Sequence, residues 1–188
     1  MTAPPKPWQT LVSRVLLDRP PWIRLREDRV RLPTGTVLDA FYVLEYTDWA
    51  CVVPVTPDGD VVMVEQWRHA IGRRSLEFPA GSVDDGETPE DAARRELAEE
   101  AGVLARDLVP LATLATEPSR HTNWAHVFLA DGAEVAVTPS LDPSEDIVVR
   151  TVRLGDLAGM VGRGEIVHGV HVAAAFLAFD RLRGTGRP

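Results

Sequence analysis

The segment Gly81 to Val103 does more than any other to limit what this chain can fold into, because it carries the start, the stop and the like-charge crowding of one helix. Thr88 can cap a helix N-terminus. Pro89 suits the first helical position, where its missing N–H would be unpaired anyway, and Asp91 stands three residues after the cap. Gly102 supplies a left-handed stop. These signals predict a helix of about thirteen residues in which Glu96, Glu99 and Glu100 stand at i, i+3 and i+4 and share one face.

Like charges at that spacing repel, so the helix needs a compensating partner. Either the adjacent Arg94 and Arg95 or a bound divalent cation can supply it, and hard cations such as Mg2+ prefer carboxylate oxygens. Eight acidic and two basic side chains lie between Gly81 and Val103, a local charge of −6 out of the chain's −8. The acidity is therefore concentrated in one place. A charged, solvated helix face remains the competing explanation until the spacing of the whole segment is considered.

The rest of the sequence bounds the setting. At 188 residues and 45% apolar, the chain can bury a full core as one domain with an appended element. No run approaches the roughly 18 apolar residues of a membrane span, and the Pro-rich start Met1 to Lys6 lacks a signal-peptide apolar region, so the expected location is cytoplasmic, with no membrane partner. Cys51 is the single cysteine and sits inside an apolar run, which reads as an inert buried thiol. The overall acidity argues against a nucleic-acid backbone binder; the one basic stretch, Arg14 to Arg31, reads as solvated strand faces.

Periodicity places the other elements. Thr10 to Leu17 and Trp22 to Leu32 read as strands, the second alternating apolar residues with Arg about a turn at Glu27-Asp28. Val37 to Tyr46 resumes an extended pattern, giving a small N-terminal antiparallel sheet. Ala50 to Val55 and Val61 to Gln66 form a hairpin across Pro57-Asp-Gly-Asp60, and Trp67 to Arg74 reads as a loop. Beyond the helix, Leu108 to Thr116, Trp124 to Ala130 and Ile147 to Arg153 read as strands and Asp131 to Asp146 as a loop. Leu154 to Val161 and Val170 to Leu182 carry helical periodicity. The expected organisation is a β extension over residues 1–47, a catalytic domain over 48–183 and a disordered tail over 184–188. The fold class is α/β (α+β), with a mixed sheet.

The segment Gly81 to Val103 resembles, at every defining position, the signature of the Nudix hydrolases: Gly81, Glu87, Arg95, Glu96, Leu97, Glu99, Glu100, Gly102 and Val103 occupy it without a gap. The resemblance implies an α/β/α sandwich and hydrolysis of a nucleoside diphosphate linked to another group. It also implies a metal cofactor, Mg2+ with Mn2+ as a substitute, held by Glu96, Glu100, Glu99 and the backbone carbonyl of Ala80. Arg95 and Glu87 match positions that hold the carboxylates in place. The general base of the family's chemistry matches Glu145, on the loop before the last strand, with Glu99 as the alternative.

The flanks, Val64-Glu-Gln-Trp-Arg68 and Leu76-Glu-Phe-Pro-Ala-Gly81, and Pro118 beyond the helix look like the ADP-ribose pyrophosphatase group of this family. That likeness implies a homodimer built by the N-terminal strands, phosphate contact by Arg68, a ribose-side or anchoring role for Glu77, and adenine stacking on Trp22 with Phe41 as a weaker candidate. Two departures stand out. The loop after the signature reads Pro118-Ser-Arg-His-Thr-Asn123 where the group has Pro-Gly, and Glu45 lies near a position where the group has Arg. ADP-ribose is the expected substrate, with GDP-mannose or another nucleoside diphosphate derivative as the alternative. A non-catalytic nucleotide-sensing module is the alternative of another class. His121, His168 and His171 could touch a substrate, but a lone His on a loop or helix is more often structural, and no His/Cys spacing suggests zinc.

Overall fold

The computed structural model describes residues 4–184, in two compact units. The first contains the chain up to Thr47 together with Ala115–Asn123; the second contains Asp48–Leu114 and the chain from Trp124 onward. Most of the expected tail, residues 185–188, lies outside the described residues, as do residues 1–3.

In the first unit, β1 (Gln9–Arg19), β2 (Ile23–Arg31) and β3 (Val37–Glu45) form an antiparallel sheet in that order. The turn expected at Glu27-Asp28 does not exist: β2 runs straight through, and the chain reverses instead at Pro20 to Trp22, where the Trp22 N–H donates to the Arg19 carbonyl at 2.9 Å. The acidic pair belongs in a strand because each member meets a cation. Glu27 lies opposite Arg14 and accepts its Nε–H at 2.9 Å, while Asp28, 4% exposed, sits 3.3 Å from the Arg26 guanidinium. Glu45 likewise pairs with Arg24 at 3.1 Å and Arg26 at 3.4 Å. The loop carrying Pro118 joins this unit through the end of β3: the Leu44 N–H donates to the Arg120 carbonyl, and the Tyr46 and His121 rings meet edge to face at 5.1 Å.

The second unit is a seven-stranded mixed sheet between helices. Its spine is β4 (Trp49–Val55), β5 (Asp60–Arg68), β9 (Val109–Ala115), β10 (Trp124–Asp131) and β12 (Ile147–Arg153), in the order β12-β5-β4-β10-β9. Two short strands, β6 (Arg73–Glu77) and β7 (Ala80–Ser82), pair with β5 and β4. The β4–β10 pairing is parallel and β5–β12 antiparallel. Period-2 alternation assigns each strand's side chains to one of two cores. Cys51, Val53, Val61, Met63, Val127 and Leu129 face α2 (Leu157–Gly162) and α3 (Gly169–Arg183), whereas Ala50, Val52, Val62, Val64, Phe128 and Ala130 face α1 (Pro89–Ala101). Each fully buried Val or Leu contributes on the order of 1.5–3 kcal/mol, so this two-sided burial fixes the register of the central strands and the seating of α1. A two-stranded ribbon of β8 (Val103–Leu104) and β11 (Glu134–Val135) completes the unit.

The structure departs from the sequence reading around Trp67 to Arg74 and in Asp131 to Asp146. The first holds the end of β5, a short turn at His69–Ile71 and the start of β6; the second contains β11. β6 escapes a hydrophobicity pattern because Arg73, Arg74 and Glu77 occupy three of its five positions. No helix among the described residues is long and apolar enough to cross a membrane.

Gly102 ends α1 at φ +65°, and an added Cβ there would run into the Val137 carbonyl and the Pro139 ring. Gly102→Ala is expected to lower the free energy of unfolding by about 1–3 kcal/mol, measured by denaturant titration. An unchanged midpoint would show that the helix stop does not depend on this backbone conformation.

Candidate functional site

The cap that sets α1 is formed as its sequence demands. Thr88 Oγ1 accepts the Asp91 N–H at 3.1 Å, and Pro89 occupies the first turn. With the start fixed there and Gly102 at the end, Glu96 and Glu100 fall on the buried side, 8% and 4% exposed, while the Glu99 side chain is half-exposed. Arg95 gathers the acids around itself. Its Nε–H and one Nη2 N–H donate to Glu87 at 3.0 and 2.9 Å, Nη1 donates to Glu96 at 2.6 Å and Glu99 at 3.2 Å, and Nη2 also reaches the Ser82 carbonyl at 2.9 Å.

The chain entering the helix closes the site from the other side. The Ala80 N–H donates to Glu100 Oε2 at 2.8 Å, and Gly81 passes so close to Glu96 that an added Cβ would coincide with its carboxylate. β7 holds both residues there, pairing Ala80 with Cys51 and Gly81 with Ala50. Burial pushes the Glu100 carboxyl up to about 8; the Ala80 N–H opposes this, while the charges of Glu96 and Glu145 add to it. Burial likewise raises Glu96, against the pull of Arg95. Glu145 thus lies within electrostatic reach of both buried acids, on a turn where it accepts the Asp142 N–H at 2.8 Å.

Arg68, at the end of β5, grips Glu77 with both ends of its guanidinium fork: Nε–H to Oε1 at 2.9 Å and Nη2 to Oε2. Glu77 is 1% exposed, so its carboxylate anchors Arg68 and offers no open face to a ribose. Burial alone would raise its pKa, but Arg68 and His171 reverse the balance and hold it near about 2. His171, on α3, accepts the Phe78 N–H at Nδ1 (2.9 Å) and is held neutral by burial, its pKa near about 3. This buried polar chain was not legible as a site. Its only sequence signal is one histidine within the otherwise apolar start of α3.

Of the remaining sequence-derived positions, Trp22, Phe41 and Pro118 belong to the first unit. Trp22 is 76% exposed at the β1–β2 turn, and Phe41 packs edge to face on Trp8 at 5.8 Å. Pro118 lies exposed on the loop that joins the end of β3. Ala80, Glu87, Arg95, Glu96, Glu99, Glu100, Arg68, Glu77 and Glu145 belong to the second.

Among the described residues, no three Asp, Glu, His or Cys side chains stand close enough together to enclose a metal ion as they are, since Arg95 draws Glu96 and Glu99 to itself. The donor set nevertheless suits a hard cation. Glu100 has one N–H donor for its two oxygens, Glu96 and Glu145 press further negative charge on it, and every side-chain donor atom is a carboxylate oxygen.

Comparison with known proteins places this geometry. A model of the NUDIX domain matches residues 46–170. The chain belongs to the Nudix family. A second model, the nucleoside diphosphate sugar hydrolase N-terminal domain, matches residues 8–44. An ADP-ribose pyrophosphatase of Mycobacterium tuberculosis is 34% identical over 166 residues, covering 87% of this chain and 80% of its own. One from Bacillus subtilis is 34% identical over 145 residues, covering 77% and 78%. A crystal structure of an ADP compounds hydrolase superposes with a TM-score of 0.86 over the full length of both chains, at 21% identity, and so shares the fold. The Nudix α/β/α sandwich and the N-terminal antiparallel sheet expected from the sequence are both present.

The buried Glu77–His171 pair makes the fold acid-sensitive in a definable window. His171 has a folded pKa of about 3 against an ordinary 6.5, and Glu77 about 2 against 4.5, so in both cases the unfolded chain binds the proton first as pH falls. Stability is therefore lost from 6.5 down through 3 for His171 and from 4.5 down through 2 for Glu77. Glu100, raised to about 8, acts in the opposite sense, but only above 4.5. Between pH 4.5 and 3 the metal-free protein is expected to lose unfolding free energy steadily in denaturant titrations, and His171→Asn is expected to flatten that slope. A slope identical in the variant would remove His171 from the effect.

Proposed function

We propose that this chain is a Mg2+-dependent, cytoplasmic diphosphatase of nucleoside diphosphate sugars, with ADP-ribose cleaved to AMP and ribose 5-phosphate as its reaction. The observation that carries the reading is the pair of buried acids held against the Ala80–Gly81 backbone, Glu100 on the Ala80 N–H and Glu96 against Gly81, with Glu99 beside them on Arg95 and Glu145 within electrostatic reach. The N-terminal model match and the two relatives named ADP-ribose pyrophosphatase support the substrate class.

Ala80, through its carbonyl, and Glu96, Glu99 and Glu100 would hold the metal, with Mn2+ able to replace Mg2+. Metal ions supply neutralisation of diphosphate oxygens and acidification of a bound water. The chain's own groups do the rest. Glu145 takes the proton of the attacking water, with Glu99 as the alternative acceptor. Arg68 presents its planar guanidinium to a phosphate while Glu77 fixes its orientation. Arg95, held by Glu87, keeps Glu96 and Glu99 aimed. Trp22 offers an exposed ring for adenine to stack on, with Phe41 as the weaker candidate, and Pro118 is counted among the substrate-binding positions. The Ser119-Arg120-His121 loop, together with a Glu45 already paired to Arg24 and Arg26, favours keeping GDP-mannose as a second substrate reading.

The N-terminal sheet leaves Val12, Val15, Leu16 and Leu17 exposed along β1, which supports a homodimer formed through this element. Light scattering is expected to give the mass of two chains, falling to one in Val15→Glu; a monomeric wild-type protein at micromolar concentration would overturn the dimer.

Glu100→Gln keeps the side-chain shape and removes the charge. Its turnover with Mg2+ is expected to drop by more than about 100-fold with the unfolding midpoint preserved. Activity within a few-fold of wild type would refute the metal assignment. The wild-type protein is to be assayed on ADP-ribose, GDP-mannose, NADH and diadenosine polyphosphates. Turnover of none of these, with nucleotide still bound, would point to a sensing module.

A further inference from the structure

We infer that His171 is a positioning residue: from α3 it fixes Glu77, and through Glu77 the Arg68 guanidinium. The inference rests on the proposed phosphate contact of Arg68. Within the Arg68–Glu77 pair the two ends differ sharply, for the Arg68 side chain is 43% exposed and that of Glu77 1%. A sealed carboxylate has about four lone-pair sites, and Arg68 satisfies two of them. Beyond Arg68, the groups that act on the carboxylate are His171 and the Ser75 hydroxyl, and without them it would be freer to turn and take Arg68 with it.

His171 is built to do this. Its Nδ1 accepts the Phe78 N–H at 2.9 Å, which assigns the ring proton to Nε2. That Nε2 lies 3.7 Å from Glu77 Oε2, beyond hydrogen-bond distance but close enough for its N–H dipole to act on the charge, with both side chains 1% exposed. Glu77 and Phe78 are neighbours in the chain, so one imidazole holds the side chain of the first and the backbone of the second. The ring itself cannot swing away. Trp49 stacks on it at 5.7 Å and Phe78 at 5.9 Å, His168 closes one edge at 4.7 Å, and Cys51 Sγ sits 3.8 Å from Nδ1. An apolar ring of similar size would fill this cage, yet it would leave the Phe78 N–H unpaired and hydrocarbon facing the Glu77 carboxylate.

The test separates positioning from packing. His171→Phe is expected to raise KM for ADP-ribose by about ten-fold with kcat changed less than about three-fold, and His171→Asn, which can still accept the Phe78 N–H, to raise it less. Arg68→Ala is expected to add little to the KM of His171→Phe, because both act on one contact. A loss of thermal stability with unchanged KM, or fully additive effects, would overturn the inference. If His171→Phe does not fold, His171→Asn decides through the Arg68 Nε–H resonance in 15N spectra, assigned by its loss in Arg68→Lys. That resonance is expected to move toward free arginine and exchange faster; no movement would overturn the inference. A wild-type protein that hydrolyses no substrate would refute the proposed function, while the resonance would still report on whether His171 positions Arg68.

Discussion

Three carboxylates on one face of α1 stand beside a single guanidinium that reaches only two of them, and the rest of the site follows from how that shortage is met. Arg95 gives all five of its N–H donors to Glu87, Glu96, Glu99 and the Ser82 carbonyl, so none remains for Glu100. Glu100 is the most buried of the three, and among the described residues its one hydrogen-bond donor is the Ala80 N–H. Arg95 thus ties two of the acids down, while the third is left under-compensated, the feature on which the proposed metal site rests. Such a distribution of partners is a poor way to build a merely solvated helix face, where every charge would find water.

Holding that imbalance in place requires a rigid frame on both sides of the acids. α1 is seated by Ala92, Ala93, Leu97 and Ala101 on the side of the sheet formed by Val52, Val62 and Val64. Small residues at Ala92, Ala93 and Ala101 let the helix approach closely, which brings Glu96 against the glycine backbone of β7. Gly81 is the point at which this contact is decided, since any Cβ would occupy the carboxylate's own volume. The opposite core, through α3, supports β6 and with it Glu77 and Arg68. The two cores of the sheet therefore each present one half of the charged apparatus, acids from the α1 side and a cation braced from the α3 side.

What the sequence disclosed tracks how local the governing interaction is. The bounds of α1 were legible because Thr88, Pro89 and Gly102 act on their immediate neighbours, and the β4–β5 hairpin because alternation and a Pro-Asp-Gly turn are local signals. The family spacing, too, is contained in one segment. The acidic pair Glu27-Asp28 reads as a turn from sequence because the partner of Glu27, Arg14, becomes visible only once β1 is paired in register, while Arg26 meets Asp28 from two residues away on the same strand face. β6 escapes detection for the related reason that its arginines find distant partners, Arg73 the Gly164 carbonyl and Arg74 Glu65, leaving no apolar alternation to detect. The Glu77–His171 contact joins a strand before the signature to the last helix, and no composition or periodicity connects residues that far apart.

The two arginines of the site show why residue type and motif position underdetermine a role. Both sit beside buried acids and both form forked carboxylate pairs. Arg95 is saturated: every N–H is spent within the protein, so it can orient carboxylates but has nothing to offer a ligand. Arg68 spends two N–H groups on Glu77, and among the described residues the others have no hydrogen-bond partner. Its partner is sealed in the interior while its own head is half-exposed, so the pair leaves a guanidinium edge fixed in direction and open on one side. A cation held that way loses little further entropy on meeting an anion, which is the condition for a small, precise contact to contribute to binding at all.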